Sequence, residues 1–180
     1  NFFYAQSLSN TLKSCINLKR GAKILLHKVN KPERYGVAKI RKNKIINIKE
    51  KPKKFFSDLA VTGLYFFDNN VIKYTKMLKP SKRGELEITT VNQEFLKRGA
   101  LKVELMGRAF AWLDTGTHES LIEASNYIKA IETRQGLKVA CLEVIAFQMG
   151  YINKAQLLKL AEPLKKSGYG QYLIQRAKEF

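Results

Sequence analysis

Apolar and polar positions divide this chain into short runs of strand-like spacing, followed by longer runs of helical period. Ala22–Val29, AKILLHKV, has the nearly continuous apolar centre of a buried strand. Tyr35–Pro52 reads as a hairpin. Val37 and Ile40 are apolar, Lys42-Asn43 makes the turn, and Ile46 and Ile48 alternate with polar neighbours. Leu59–Asp68, LAVTGLYFFD, is β-branched and aromatic, which predicts a central strand. Asn69–Leu78 is predicted as a short helix stopped by Pro80, and Thr89–Arg98 as a second, capped by Gly99. LKVELMG and FAWLD are predicted strands.

The last third changes period. A long helix is predicted from about His118 to Gln135, with Leu121, Ile122, Ala124, Ser125, Ile128 and Ile131 on one face. Thr117 suits its N-cap and Gly136 its stop. Cys141–Gln148 reads as helical and ends at Gly150. Asn153 with Gln156 has the form of a capping box opening Lys154–Lys166, which Pro163 should kink or split. Tyr169–Lys178 closes the chain as a helix. Strands alternating with helices, then a helical tail, indicate an α/β fold with a mixed sheet.

Composition adds a core and an oddity. Hydrophobic residues make up 45% of the 180, enough to bury a core. No apolar run approaches the roughly 20 residues of a membrane helix, and Lys13, Lys19 and Arg20 interrupt any signal-peptide pattern. The chain opens at Asn1 without an initiating Met and is expected to be a piece of a longer protein. Cys15 and Cys141 follow no metal or disulfide spacing and suit a reducing, cytoplasmic setting. The formal charge of +18 suggests nucleic acid, anionic lipid or phosphorylated substrates. Yet 25 of the basic residues are Lys and 8 are Arg, amid recurrent Asn and Ile. Selective nucleic-acid readers lean on Arg and interleaved aromatics, so compositional bias is the preferred explanation.

Five segments could carry chemistry. In RYGVAK, Gly36 follows Tyr35 at a strand start, where a ligand could approach the backbone or where an ordinary pre-strand glycine could sit. In IKEKPKK, Glu50 is the only acid among eight basic residues between Lys39 and Lys54. A carboxylate accepts from vicinal sugar hydroxyls and the adjacent Lys51 ammonium can hold a sugar's phosphate, although a solvated charge run has the same composition. Gly63, inside a bulky strand, suggests a bulge or a ligand lying on the backbone. In PSKRGELEIT, Arg83 could clamp a phosphate or simply pair with Glu85 and Glu87. In GRAFAWLDTGTHES, Trp112 offers a wall for a sugar ring and Asp114 stands at a strand end. Asp114 is a turn residue, or one of the carboxylates of a Mg²⁺ site that needs a second acid elsewhere. His27 and His118 share no ligand spacing and read as structural. There is no Walker A or G-x-G-x-x-G signature and no Ser/His/Asp pattern.

In order and spacing, PERYGVAKI, KEKPKK, LAVTGLYFFD, PSKRGELEITTVNQEFL, VELMGRAFAWLDTGTHESLIEAS, RQGLKVACLEVIAF and SGYGQYL resemble the glucose-1-phosphate thymidylyltransferase family, from Asn1 to Leu173. The resemblance implies a Rossmann-like nucleotidyltransferase fold with an incomplete mixed sheet. It divides the chain into a core with the sugar-phosphate site at 1–125 and a helical region, oligomeric or regulatory, at 126–180. It implies a Mg²⁺-dependent reaction of dTTP with glucose 1-phosphate, giving dTDP-glucose and pyrophosphate and feeding dTDP-rhamnose and surface polysaccharide synthesis. Carried over by motif, Tyr35 and Gly36 line the sugar site, Glu50 accepts from sugar hydroxyls, and Lys51 holds the phosphate with Arg83 assisting. Val61 and Gly63 contact the sugar through the backbone beside Trp112, and Asp114 is a metal ligand. Arg108 and Glu143 fall in motifs of a regulatory nucleotide-sugar site. A homo-oligomer, tetrameric in the family, is expected, with no nucleic-acid or membrane partner.

The departures also carry expectations. The family's glycine-rich nucleotide loop with its catalytic Arg and Lys lies upstream of Asn1, so these 180 residues alone are expected to be inactive. Asn1 matches the last letter of a GDN motif whose Asp is the second metal carboxylate. YAQS replaces a more glycine-rich stretch. Ala109 replaces a glycine next to the regulatory motif, and Phe55-Phe56 replaces a Pro-Lys pair. Two other classes compete: a basic nucleic-acid- or anionic-surface-binding protein, and a decayed fragment without activity.

Overall fold

The computed structural model describes residues 1–6 and 8–179. They form two compact units, Asn1–Ala124 and Ser125–Phe180. The first carries β1 (Phe2–Tyr4), α1 (Leu8–Ile16), β2 (Ala22–Lys28), β3 (Gly36–Arg41), β4 (Lys44–Glu50) and β5 (Leu59–Phe67). These are followed by α2 (Asn70–Lys76), α3 (Ile88–Lys97), β6 (Leu101–Leu105), β7 (Ala111–Leu113) and the start of α4 (His118–Gln135). The second unit holds the rest of α4, then α5 (Leu142–Gln148), α6 (Lys154–Ala161) and α7 (Gly168–Glu179).

A five-stranded sheet runs in the order β4-β3-β5-β2-β6, with β5 central. β2 and β6 pair in parallel and the remaining pairs are antiparallel, so the sheet is mixed. β1 and β7 form a separate antiparallel pair, with Phe3 opposite Trp112. Pleat alternation sends Ala22, Ile24 and Leu26 to one face, where Ile48, Val61, Val91 and Phe95 join them in the main core. Leu25 points to the other face and packs with Cys15 and Met106 against Phe3, Phe110 and Trp112. Phe95, 1% exposed, stacks on Phe67 and meets Tyr74 edge-on, and Phe95→Ala would cost about 3–5 kcal/mol.

Several expectations hold for visible local reasons. Lys42 and Asn43 both take positive φ, 48° and 57°, the two left-handed positions of a tight hairpin turn. Asn153 and Gln156 make the reciprocal capping box, and Glu162–Leu164 tightens to a 3-10 turn at Pro163, ending α6. Thr117 Oγ1 accepts from the Ser120 N–H and caps α4. Two expectations need correction. Ile46 does not share the inward side of Ile48: pairing steps from Lys39–Asn47 to Ile40–Ile45, a bulge that leaves Ile46 51% exposed while Ile45 is buried. On α4 the buried residues are Ser120 and Ala124, whereas Leu121 and Ile122 are exposed. The buried side of α4 in the first unit thus runs along the small i, i+4 pair, with the larger residues beside it facing outward.

Candidate active site

The ends of β3 and β4 bring the sugar-phosphate candidates together. Gly36 pairs with Glu50 across the hairpin, and the Lys51 N–H donates to the Tyr35 carbonyl at 3.0 Å. Glu50 and Lys51 are thus fixed by backbone pairing, one at the last paired position and the next just beyond it. Lys51 takes φ 37°, a left-handed conformation that non-glycine residues hold at a cost of about 1 kcal/mol or more. No ion pair engages its ammonium among the described residues.

Glu50 is tied on both oxygens. Thr89 Oγ1, at the start of α3 and 4% exposed, donates to Oε2. Oε1 lies 3.7 Å from Arg83 Nη1. Gly36 makes room for this arrangement: a Cβ there would stand 2.9 Å from Thr89 Oγ1 and 3.0 Å from Glu50 Oε2. The space over Gly36 is therefore taken by these two side chains. Arg83 sits among three carboxylates, with Nη2 2.8 Å from Glu85 and Nη1 3.6 Å from Glu87 as well as near Glu50. Glu50, Lys51, Ser81, Arg83, Thr89 and Gln93 are among the residues lining a cavity of about 290 Å³.

A second cavity, about 460 Å³, is lined by Arg34, Tyr35, Lys51, Asp114, Gly116 and Thr117. Lys51 borders both. Asp114 follows β7, its side chain 27% exposed, with Oδ2 3.5 Å from Arg34 Nη2. Gly116 lies beneath the carboxylate, where a Cβ would come within 3.3–3.4 Å of both oxygens. The Trp112 ring packs on Tyr35 with centroids 5.1 Å apart and on His27 at 6.0 Å. Its Nε1 donates to Asn1 Oδ1 at 2.8 Å. Burial pushes the Tyr35 phenol up and the His27 imidazole down, the latter with a buried Nδ1 that finds no hydrogen-bond partner among the described residues.

Other sequence candidates are placed differently. Thr62–Leu64 of β5 face the single residue Leu25 of β2, so of the two readings of Gly63, a bulge or a ligand on the backbone, the bulge is present. The Asn1 side-chain amide fills the space over Gly63. The Val61 side chain lies in the main core, 8% exposed, which leaves only its backbone for a ligand. Arg108 is exposed in the first unit. Glu143, in the second, accepts from Tyr169 Oη and lies 3.8 Å from Cys141 Sγ. The Tyr169 hydrogen bond holds the Glu143 carboxyl below its usual value, and burial drives the Tyr169 phenol up.

Sequence reasoning missed Thr89 and Arg34. Thr89 had a weak signal, a hydroxyl at the expected start of a helix. Arg34 stands directly before Tyr35, and only the pairing of β3 with its surroundings shows that it meets Asp114.

A Mg²⁺ ion is the metal that these residues can be tested against. Magnesium takes one or two carboxylates and completes its octahedron with phosphate oxygens and water. Among the described residues no group of three or more His, Cys, Asp and Glu gathers to hold a metal. Asp114 alone, uncrowded above Gly116 and open to a cavity that Lys51 also borders, fits one corner of such a shell.

Comparison with known proteins follows the same lines. Residues 1–131 match the nucleotidyl transferase family. The chain is 46% identical over 180 residues to the glucose-1-phosphate thymidylyltransferase of Neisseria meningitidis serogroup A, covering 99% of this chain and 62% of that protein. It is 51% identical over 179 residues to the enzyme of that name from Xanthomonas campestris pv. campestris, covering 99% and 61%. The chain thus spans about three fifths of the length of these curated relatives. Among solved structures, a Bacillus anthracis protein assigned as a glucose-1-phosphate thymidylyltransferase, in complex with a sucrose, superposes with a TM-score of 0.62 at 48% identity. That match covers 70% of this chain and 50% of the other. With its mixed sheet and its two cavities meeting at Lys51, the chain belongs to the nucleotidyl transferase family and is similar within it to glucose-1-phosphate thymidylyltransferases.

Proposed function

We propose that these residues supply the sugar-phosphate half of a Mg²⁺-dependent transfer of a thymidylyl group from dTTP to glucose 1-phosphate. A phosphate oxygen of the sugar phosphate attacks the α-phosphorus of dTTP, the bond to the bridging oxygen breaks, and pyrophosphate leaves with that electron pair. The names of the relatives support the substrates, and one observation carries the reading: Lys51 borders both the cavity holding Glu50 and the cavity holding Asp114. A sugar lying at Glu50 would present its phosphate to Lys51 and its reacting oxygen toward Asp114.

Glu50, pre-oriented by Thr89 and Arg83, accepts from sugar hydroxyls. Tyr35 and Trp112 wall the ring, with the backbone of Val61 alongside, while Gly36 makes room for Glu50 and Thr89 and Gly63 for Asn1. Lys51 neutralises the phosphate, and Arg83 assists by holding Glu50. Asp114 holds the metal, which when bound supplies charge neutralisation on the phosphates. Catalysis by this half is positioning and electrostatics, with no covalent enzyme intermediate. The glycine-rich loop that would hold dTTP is not found in these 180 residues, so by themselves they should not turn over. The product would be dTDP-glucose for dTDP-rhamnose and surface polysaccharide, made in the cytoplasm by a homo-oligomer. Arg108, in the first unit, and Glu143, in the second, would each serve regulation by a nucleotide sugar.

The test is pyrophosphate release by the full-length protein with dTTP, glucose 1-phosphate and Mg²⁺. Release that requires all three, and falls by more than about 100-fold in Asp114→Asn, is expected. Equal turnover by the mutant would remove Asp114 from the metal site. Robust release by the 180 residues alone would overturn the division of labour.

One observation favours a second reading, an anionic-surface binder. None of the eight basic side chains of Lys39–Lys54 forms an ion pair among the described residues. Phe56 lies under Lys49 and Lys39, and Phe55 is 80% exposed. Binding to single-stranded DNA or anionic vesicles at low salt, with a steep salt slope, would support it, and no binding at low salt would eliminate it.

A further inference from the structure

We infer that Arg34 is a second phosphate-binding cation of this site, held on Asp114 until that carboxylate is taken by a divalent metal ion. The inference rests on the sugar-phosphate reading given above. Arg34 Nη2 lies 3.5 Å from Asp114 Oδ2, and the guanidinium carbon lies 5.6 Å from the centre of the Tyr35 ring. Tyr35 in turn abuts Trp112. The guanidinium is thus placed between an aromatic face and a carboxylate rather than free in solvent.

Backbone geometry fixes where it stands. Arg34 ends the 3-10 turn Pro32–Arg34, closed by the Tyr35 N–H on the Pro32 carbonyl at 3.1 Å. The Tyr35 carbonyl then accepts from the Lys51 N–H. Arg34 and Lys51 are therefore tied to one another through a single intervening residue, and both line the cavity that contains Asp114.

Charge decides what this arrangement is for. Arg34, Lys51 and Asp114 sum to one positive charge. A phosphate monoester brings close to two negative charges at neutral pH. Lys51 binds as a point charge and leaves phosphate oxygens unmatched, whereas a guanidinium fork matches two of them at once. Asp114 cannot fully satisfy both a guanidinium and a divalent cation. A metal on Asp114 therefore releases Arg34, and the nearest acceptor in the same cavity is the phosphate held by Lys51. Arg34 exchanges a carboxylate oxygen for a phosphate oxygen.

This exchange makes the two ligands interdependent. In the free protein Arg34 competes with the metal, and sugar phosphate removes the competitor by drawing Arg34 to itself. Linkage requires the converse as well, so metal raises sugar-phosphate affinity by the same factor.

The experiment measures two affinities in the full-length protein: Mn²⁺ by electron paramagnetic resonance without sugar phosphate, and glucose 1-phosphate by calorimetry. Arg34→Gln, which keeps a planar group against Tyr35, should bind Mn²⁺ several-fold more tightly and glucose 1-phosphate about tenfold or more weakly. Arg34→Lys should fall between. Changes of opposite sign are the signature, because a merely structural loss lowers both affinities together. Both falling, or neither changing, overturns the inference. If wild-type protein binds no glucose 1-phosphate, the sugar-phosphate reading fails and the role of Arg34 with it. If wild type binds and Arg34→Gln binds equally, only Arg34 is displaced.

Discussion

Thr89 and Glu50 are joined by a hydrogen bond that depends on a missing side chain, since the hydroxyl meets Oε2 in the notch above Gly36. Thr89→Val keeps the shape and removes the donor. It should cost about 1–2 kcal/mol in urea denaturation and loosen Glu50. Gly36→Ala should disturb the same contact from the other side. Because both changes act on one pair, their effects should fall short of additivity by about 0.5 kcal/mol or more in a double-mutant cycle. Additive losses would show that the notch and the hydrogen bond are independent.

Lys51 combines a charge with a left-handed backbone, and two substitutions separate them. Lys51→Ala and Lys51→Gly should weaken glucose 1-phosphate binding alike, because both remove the ammonium. Lys51→Gly should nevertheless be the more stable by about 1 kcal/mol, since glycine adopts φ near 37° without steric cost. Equal stabilities would show that the backbone at 51 relaxes without strain.

Tyr65 should make the fold sensitive to alkali. Burial, aided by the nearby Glu50 charge, pushes its phenol up to about 12 from 10. The folded state thus holds its proton longer than the unfolded chain does. The stabilisation is complete below pH 10 and is lost as pH rises toward 12, by about 2 kcal/mol. Tyr65→Phe should show a shallower decline between pH 10 and 12 in denaturation midpoints, and an unchanged slope would count against it.

In the second unit, the Tyr169 hydrogen bond lowers the Glu143 carboxyl below its ordinary value. Its contribution is present above the unfolded value near 4.5 and is lost as pH falls through the lower folded value. Tyr169→Phe should cost about 1 kcal/mol at pH 7, with the gap to wild type narrowing as pH falls to 3. A gap constant with pH would locate the loss in packing rather than in this bond.

Much of this architecture was legible because local signals agree with tertiary demands. The Lys42-Asn43 turn, the Asn153–Gln156 box and the continuous apolar run of β2 each state their own geometry. Ile46 misled because a bulge adds a residue without leaving a mark in the apolar pattern, and Leu121 and Ile122 because burial on α4 follows the small residues. At the site, Glu50, Lys51 and Asp114 could be singled out one by one from their chemistry. The pairing of Arg34 with Asp114, eighty residues along, could not, since no local preference encodes a contact between a 3-10 turn and the end of a distant strand.

The pairing of Gly36 with Glu50 also makes the hairpin a ruler. Neighbouring positions on a strand face opposite ways, so removing the one residue between Ile48 and Glu50 would turn the carboxylate to the other face of the sheet. The chain would keep every residue its chemistry needs and aim Glu50 away from its cavity. The bulge at Ile46 is a joint where such an odd residue is absorbed before it reaches Glu50. Drift in hairpin length should therefore be tolerated on the turn side of Ile46 and resisted between Ile48 and Lys51.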